Sequence, residues 1–201
     1  MIIIGLTGSI GMGKSTTAAL FAEEGIPVND ADQVVHDLYR GEAVAPIAAQ
    51  FPDAVIDGTV DRKKLSENLA KNPANFKVLE AIVHPLVRAR EKRFLDEARA
   101  AGAAMVVLDI PLLFETGGAD RVDRIVVVSC DPDIQRRRVL DRPGMTAEKF
   151  EMILARQLPD AEKRARADFV IDTGHGIEAA RARVRAVIAE LKASKESDSD
   201  A

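Results

Sequence analysis

The stretch Gly8-Ser9-Ile10-Gly11-Met12-Gly13-Lys14-Ser15 restricts the fold of this chain more than any other feature. It carries the spacing G-x-x-x-x-G-K-[ST] at every fixed position. Residues 2–6 before it form a continuous apolar run, the pattern of a strand buried on both faces of a parallel sheet. Residues 14–24 after it have helical spacing until Gly25. The glycines let backbone N–H groups curl around phosphate oxygens with no Cβ in the way. The helix opening at Lys14 aims its positive end at the same oxygens. The segment therefore predicts an ATP site built from Gly8, Gly11, Met12, Gly13, Lys14, Ser15 and Thr16. Lys14 is expected to reach the β- and γ-phosphates as a point charge, and Ser15 to offer its hydroxyl to Mg2+.

Beyond the loop, apolar runs at 26–29, 105–108, 124–129 and 169–171 alternate with helical segments at 30–39, 131–140, 146–157 and 177–192. That order predicts an α/β domain around a five-stranded parallel sheet. Residues 42–101 are mostly helical and interrupt the repeat, which reads as an insertion able to hold a second substrate. Val60-Asp61 and Asn72-Pro73 open helices there, and His84-Pro85 predicts a kink or break in the second. Residues 195–201 are short, polar and charged, and are expected to be a disordered tail from about residue 196.

The formal net charge of −4 argues against a partner that is a nucleic-acid backbone. The lone Cys130 ends an apolar run and reads as a small buried hydrophobe in a reducing compartment. No apolar run approaches the ~20 residues of a membrane span, and Met1-Ile2-Ile3-Ile4 lacks the basic flank of a signal peptide. A soluble cytoplasmic protein is the expectation.

A phosphate loop identifies a nucleoside triphosphate site and not a reaction. No N-K-x-D segment is present, which argues against a GTPase, and the arginine-rich second half suits a small-molecule kinase. Asp30 and Asp32 follow the second strand, where ligands bind in open α/β sheets. A carboxylate there either takes a proton from an attacking hydroxyl or caps the next helix. Asp109 ends the third strand and is a candidate Mg2+ contact beside Ser15. Arg142, in the turn after Arg136, Arg137 and Arg138, is the candidate phosphate clamp, with Arg156 a second contact. A solvated basic helix is the plainer reading of the arginine run. His84 alone reads as a packing or capping residue.

The run from Ile4 to Thr16 resembles the opening of dephospho-coenzyme A kinases. Further resemblances follow in the same order. Asp30-Ala31-Asp32 is similar to their D-A-D, and His84-Pro85-Leu86-Val87 to their H-P-L-[IV]. Asp109-Ile110-Pro111-Leu112-Leu113-Phe114-Glu115 resembles their D-x-P-L-L-F-E, and Arg142 with Ala155-Arg156-Gln157 their lid. Ala167-Asp168-Phe169-Val170-Ile171-Asp172-Thr173-Gly174 is similar to their A-D-x-V-I-x-N-x-G, with Thr173 in place of the usual asparagine. The likeness covers nearly the whole chain. It implies a P-loop nucleoside-triphosphate-hydrolase-like, three-layer fold: a core at 1–41 and 103–195, a coenzyme-A-binding helical region at 42–102, and a lid at 141–157. It implies transfer of the ATP γ-phosphate to 3′-dephospho-coenzyme A, with Lys14, Asp32 and Arg142 catalytic. Asp32 is then the base for the ribose 3′-hydroxyl, Thr7, His84 and Leu112 join it in substrate binding, and Asp172 and Gly174 frame the adenine. The rival readings are another small-molecule kinase, such as a nucleoside monophosphate kinase, and a regulatory nucleotide-binding module.

Overall fold

Ile2–Thr7 forms the central strand β1, and every later strand of the main sheet is placed relative to it. The computed structural model describes residues 1–199, with side chains through residue 194. After β1 come helix α1 (Lys14–Glu23) and strand β2 (Val28–Asp30). The sheet continues with β5 (Met105–Asp109), β6 (Arg124–Ser129) and β7 (Phe169–Asp172), in the spatial order β2-β5-β1-β6-β7. β1 pairs in parallel with β5, from Ile2 opposite Met105 to Leu6 opposite Asp109, and with β6 on its other edge. β6 pairs in parallel with β7. The five-stranded parallel sheet expected from the apolar runs is present.

Strand alternation explains the apolar runs. Ile4, Leu6, Val107, Val126 and Ile171 point to one face, where they meet Leu20 and Phe21 of α1 and Val184, Val187 and Leu191 of α9 (Ile177–Ser199). Val106, Leu108 and Val127 point to the other face and are equally buried. Each such side chain contributes roughly 1.5–3 kcal/mol by leaving water. Between β6 and β7 lie α6 (Pro132–Leu140), α7 (Ala147–Leu154) and α8 (Asp160–Ala165). Asp131 caps α6 and Thr146 caps α7 through their side-chain oxygens, as Ser, Thr and Asp do at helix starts. α9 runs to Ser199, so helix covers part of the segment expected to be a tail; residues 200 and 201 lie outside the described residues.

The chain divides into two compact units, Met1–Val28 with Gly102–Ala201, and Asn29–Ala101. The second begins earlier than the helical region expected from residue 42. The reason is α2 (Ala31–Leu38): its buried Leu38 belongs to the same cluster as Ile47, Val60, Leu65, Leu69 and Val83. That unit also holds α3 (Val44–Gln50), the hairpin strands β3 (Val55–Ile56) and β4 (Thr59–Val60), α4 (Arg62–Lys71) and α5 (Ala74–Ala100). Asp61 caps α4 by accepting from the Lys64 N–H at 2.9 Å. Pro85 sits inside α5, which is nevertheless one helix without the expected break. Val83, Leu86 and Val87 flank the proline and pack into the cluster. Their burial outweighs the one backbone bond that Pro85 cannot make. No described helix is long and apolar enough to cross a membrane.

Candidate functional site

The glycine loop is shaped by two requirements. Gly13 has φ 91°, the left-handed region that only glycine enters at little cost, and it is the residue from which α1 starts. Gly8 lies against β6, where an added Cβ would stand 2.3 Å from Val128 Cγ2 and 2.8 Å from the Val128 carbonyl oxygen. Within the loop Met12 N–H donates to Ser9 O at 3.1 Å, and Thr17 N–H donates to Gly13 O at 3.0 Å. Among the described residues no protein acceptor takes the N–H groups of Gly13, Lys14, Ser15 or Thr16. These four donors and the positive end of α1 form an anion cradle. Met12 contributes backbone only; its side chain is buried, and its sulfur accepts from Cys130 N–H at 3.2 Å. Burial pushes the Cys130 thiol up, so it is a packing group.

Lys14 forms an ion pair with Asp109, whose carboxylate is wholly buried at the end of β5. The pair holds the lysine ammonium at the cradle. The Ser15 hydroxyl and the Asp109 carboxylate supply only oxygen donors. No cluster of three or more His, Cys, Asp or Glu that could hold a metal ion occurs among the described residues. This sparse oxygen set fits Mg2+, which keeps several waters and binds through one or two protein oxygens plus phosphates.

Beside the cradle is a cavity of about 300 Å3 lined by Gly13, Thr16, Arg138, Arg142, Thr173 and Ile177, among others. Arg138 is fixed there: it donates from Nη1 to Thr173 Oγ1 at 3.0 Å and from Nη2 to Thr173 O at 2.7 Å. Thr173 Oγ1 donates in turn to Met12 O at 2.7 Å, so this threonine ties the β7 loop to the phosphate loop. Asp172 Oδ1 accepts from Gly174 N–H at 2.7 Å and shapes that loop. The arginine run thus separates by direction, as helical spacing requires. Arg138 faces the cavity, Arg136 pairs with Glu151 at 2.8 Å on the surface, and Arg137 is exposed. Arg142 is exposed in the turn after α6 and lines the cavity, whereas Arg156 is exposed and absent from its lining. Arg138 is the cavity residue that sequence reasoning did not single out from its neighbours.

Thr7 is wholly buried and its hydroxyl donates to Pro111 O at 3.3 Å, while Leu112, in the same segment, is exposed. Asp32 and His84 belong to the second unit. There Asp30 caps α2: its Oδ1 accepts from Asp32 N–H at 2.8 Å and Gln33 N–H at 3.1 Å. Asp32 contributes only its backbone to that cap, and its exposed carboxylate lines a groove of about 540 Å3. Tyr39, Arg62, Leu65, Leu69 and Leu79 line the same groove. The Arg62 guanidinium carbon lies 5.7 Å from the Tyr39 ring centroid, a cation–π contact. Burial pushes the Tyr39 phenol up, against the opposing charge of Arg62. His84 is exposed on α5 and does not line the groove. Tyr39 and Arg62 carried no sequence motif.

A strand–glycine loop–helix cradle, a lysine held by a buried strand-end aspartate, and an arginine-bearing segment after β6 together define a P-loop kinase. The model of the dephospho-CoA kinase family matches residues 2–178, and the chain belongs to that family. A dephospho-CoA kinase of Agrobacterium fabrum is 67% identical over 96% of this chain and 100% of its own length. Among solved structures, TT1252 from Thermus thermophilus has a TM-score of 0.81 at 38% identity, covering 94% of this chain and 97% of that one. Dephospho-CoA kinase from Campylobacter jejuni has a TM-score of 0.72 at 25% identity, covering 96% and 98%.

Proposed function

We propose that this protein transfers the γ-phosphate of ATP to the ribose 3′-hydroxyl of 3′-dephospho-CoA, giving ADP and CoA, in the cytoplasm and with no nucleic-acid or membrane partner. The observation that carries the reading is Asp32: the Asp30 cap leaves its side chain exposed at a groove of mixed polar and apolar lining. The cradle N–H groups and Lys14 hold the β- and γ-phosphates, and the cavity beside Arg138 and Thr173 takes the adenosine. The 3′-hydroxyl oxygen forms the new bond to the γ-phosphorus, the bond from that phosphorus to the β,γ-bridging oxygen breaks, and the hydroxyl proton passes to Asp32. Arg142 closes on the charge that develops on the transferring group. Ser15 and Asp109 are the residues that would hold Mg2+, which neutralises phosphate charge when bound. In the groove Arg62 suits the acceptor's diphosphate, and Leu65, Leu69 and Leu79 suit its apolar parts. Leu112, exposed after β5, and His84, exposed on α5, are further residues proposed to meet the acceptor, whereas Thr7, the last residue of β1, is wholly buried with its hydroxyl on Pro111 O and acts through that segment.

The test is ADP release against dephospho-CoA, AMP, CMP, shikimate and water. Turnover with dephospho-CoA alone is the expected result. Faster turnover with AMP, CMP or shikimate overturns the assigned acceptor, and release with water alone makes the protein a nucleotide hydrolase.

A further inference from the structure

One residue of the phosphate loop is gripped through both its N–H and its carbonyl by side chains from the two ends of the arginine segment. Ile10 N–H donates to Gln157 Oε1 at 3.0 Å, just after α7. Ile10 O accepts from Gln135 Nε2 at 2.7 Å, from the middle of α6. Each amide is oriented by need: an N–H requires an oxygen opposite it and a carbonyl requires an N–H. The residues between them, 136–156, include Arg142 and all of α7. Gln157 is itself supported. The next N–H, of Leu158, donates to Glu115 Oε1 at 2.8 Å, and Lys163 pairs with the same oxygen at 2.9 Å from a side chain that is 0% exposed. The turn at 157–158 is anchored beside an ion pair, whereas Arg142 is exposed and Arg136 pairs with the surface Glu151 and stands over the Phe150 ring.

We propose that Gln135 and Gln157 are positioning residues that fasten both roots of the arginine segment to Ile10, so that the cradle is set for phosphate before ATP arrives. Neither glutamine touches the nucleotide in this account. Ile10 N–H is spent on Gln157, which leaves the N–H groups of Gly13, Lys14, Ser15 and Thr16 to the phosphates. The inference rests on the kinase reading, because it takes the loop to be an ATP cradle.

The two anchors have opposite polarity, and that makes the test specific. ATP dissociation constants would be measured by calorimetry, without acceptor, for Gln157→Ala, Gln157→Glu, Gln135→Met and wild type, with the thermal midpoint of each ligand-free protein. Loss of one neutral hydrogen bond is worth roughly three- to tenfold in affinity. Gln157→Ala and Gln135→Met are expected to weaken ATP by about that factor with ligand-free midpoints close to wild type. Gln157→Glu keeps the acceptor for Ile10 N–H and is expected to restore most of the loss. Equal weakening by Gln157→Ala and Gln157→Glu overturns the proposal, as does a fall in midpoint with unchanged affinity. Acceptor turnover is not read, so a wild type that binds ATP but ignores dephospho-CoA defeats the assigned reaction and not this anchor.

Discussion

The phosphate loop and the groove of the second unit are built on different principles. The loop binds with backbone. Gly8 is there because β6 leaves no room for a Cβ, and Gly13 because φ is positive. Residue identity is dictated by geometry, so few sequences serve. The groove is walled by side chains. Asp32 and Val35 of α2 with Tyr39 just after it, and Arg62, Leu65, Ser66 and Leu69 of α4, line it at helical spacing. Any amphipathic helix has such a face, and nothing in that spacing marks a binding site. A backbone-built site leaves a motif, whereas a side-chain-built site leaves a pattern that ordinary packing also produces.

The sharpest way to break this comparison is to remove one charge from each region. Asp32→Asn keeps the size of the side chain but cannot take a proton, and is expected to lower kcat by roughly 10²–10⁴ with ATP affinity near wild type. Asp30→Asn, which retains a capping oxygen, should do much less. Lys14→Ala is expected to cost on the order of 10²–10³ in turnover and to weaken ATP as well. Steady-state rates at saturating substrates, calorimetry and circular dichroism check both. A crippled Asp30→Asn beside a nearly normal Asp32→Asn would exchange the two roles, and ATP affinity lost in Asp32→Asn would end the separation of the regions.

Arg142 tests whether the arginine segment acts at the transition state. Its guanidinium is exposed, while Arg138 is already bonded twice to Thr173 and is expected to act in ground-state binding. Arg142→Ala is expected to lower kcat by about tenfold or more with a smaller change in the ATP dissociation constant. Arg138→Met should do the reverse. A mutant of Arg142 that loses ATP affinity and keeps kcat would place that residue in ground-state binding.

Legibility in the sequence followed the same division. Strands β1, β5 and β6 were readable because the central part of each is buried on both faces and so is a continuous apolar run, and the edge strand β7 was readable from its apolar Phe169-Val170-Ile171. The cap residues Asp131 and Thr146 were readable because a helix start needs a side-chain oxygen. The β3–β4 hairpin was missed although Asp57-Gly58 marks it: both residues have positive φ, at 48° and 73°, as a tight hairpin turn demands. The flanking strands are only two residues each, too short for alternation to show. Helix α8 was missed because its buried residue is Lys163, and a charged residue reads as surface until its partner Glu115 is found far away in the chain. Gln135 was invisible for the same reason, and Gln157, although part of the Ala155-Arg156-Gln157 lid resemblance, gave no sign of its partner. A glutamine bonded to a distant backbone amide has no local signature, and only the fold brings Ile10 to both. Of the two candidate regions, the cradle residues were legible and the groove-lining Tyr39 and Arg62 were not.

The smallest expected effect belongs to the groove. Arg62 stands over the Tyr39 ring at the edge of an open space. Water reaches such a charge, so its attraction for an anionic acceptor is screened and worth far less than a buried pair. Arg62→Met keeps most of the stem that covers the ring while removing the charge. KM for dephospho-CoA is expected to rise roughly three- to tenfold, with kcat and the ATP KM nearly unchanged. The salt dependence of the acceptor KM should flatten at the same time, because the interaction that salt screens is gone. Arg62→Lys restores charge but not the planar fork and should fall between the two. If Arg62→Met instead lowers kcat and leaves the acceptor KM alone, the residue orients the reacting hydroxyl. The groove would then share the phosphate loop's demand for fixed geometry, and the contrast between the two regions would fail.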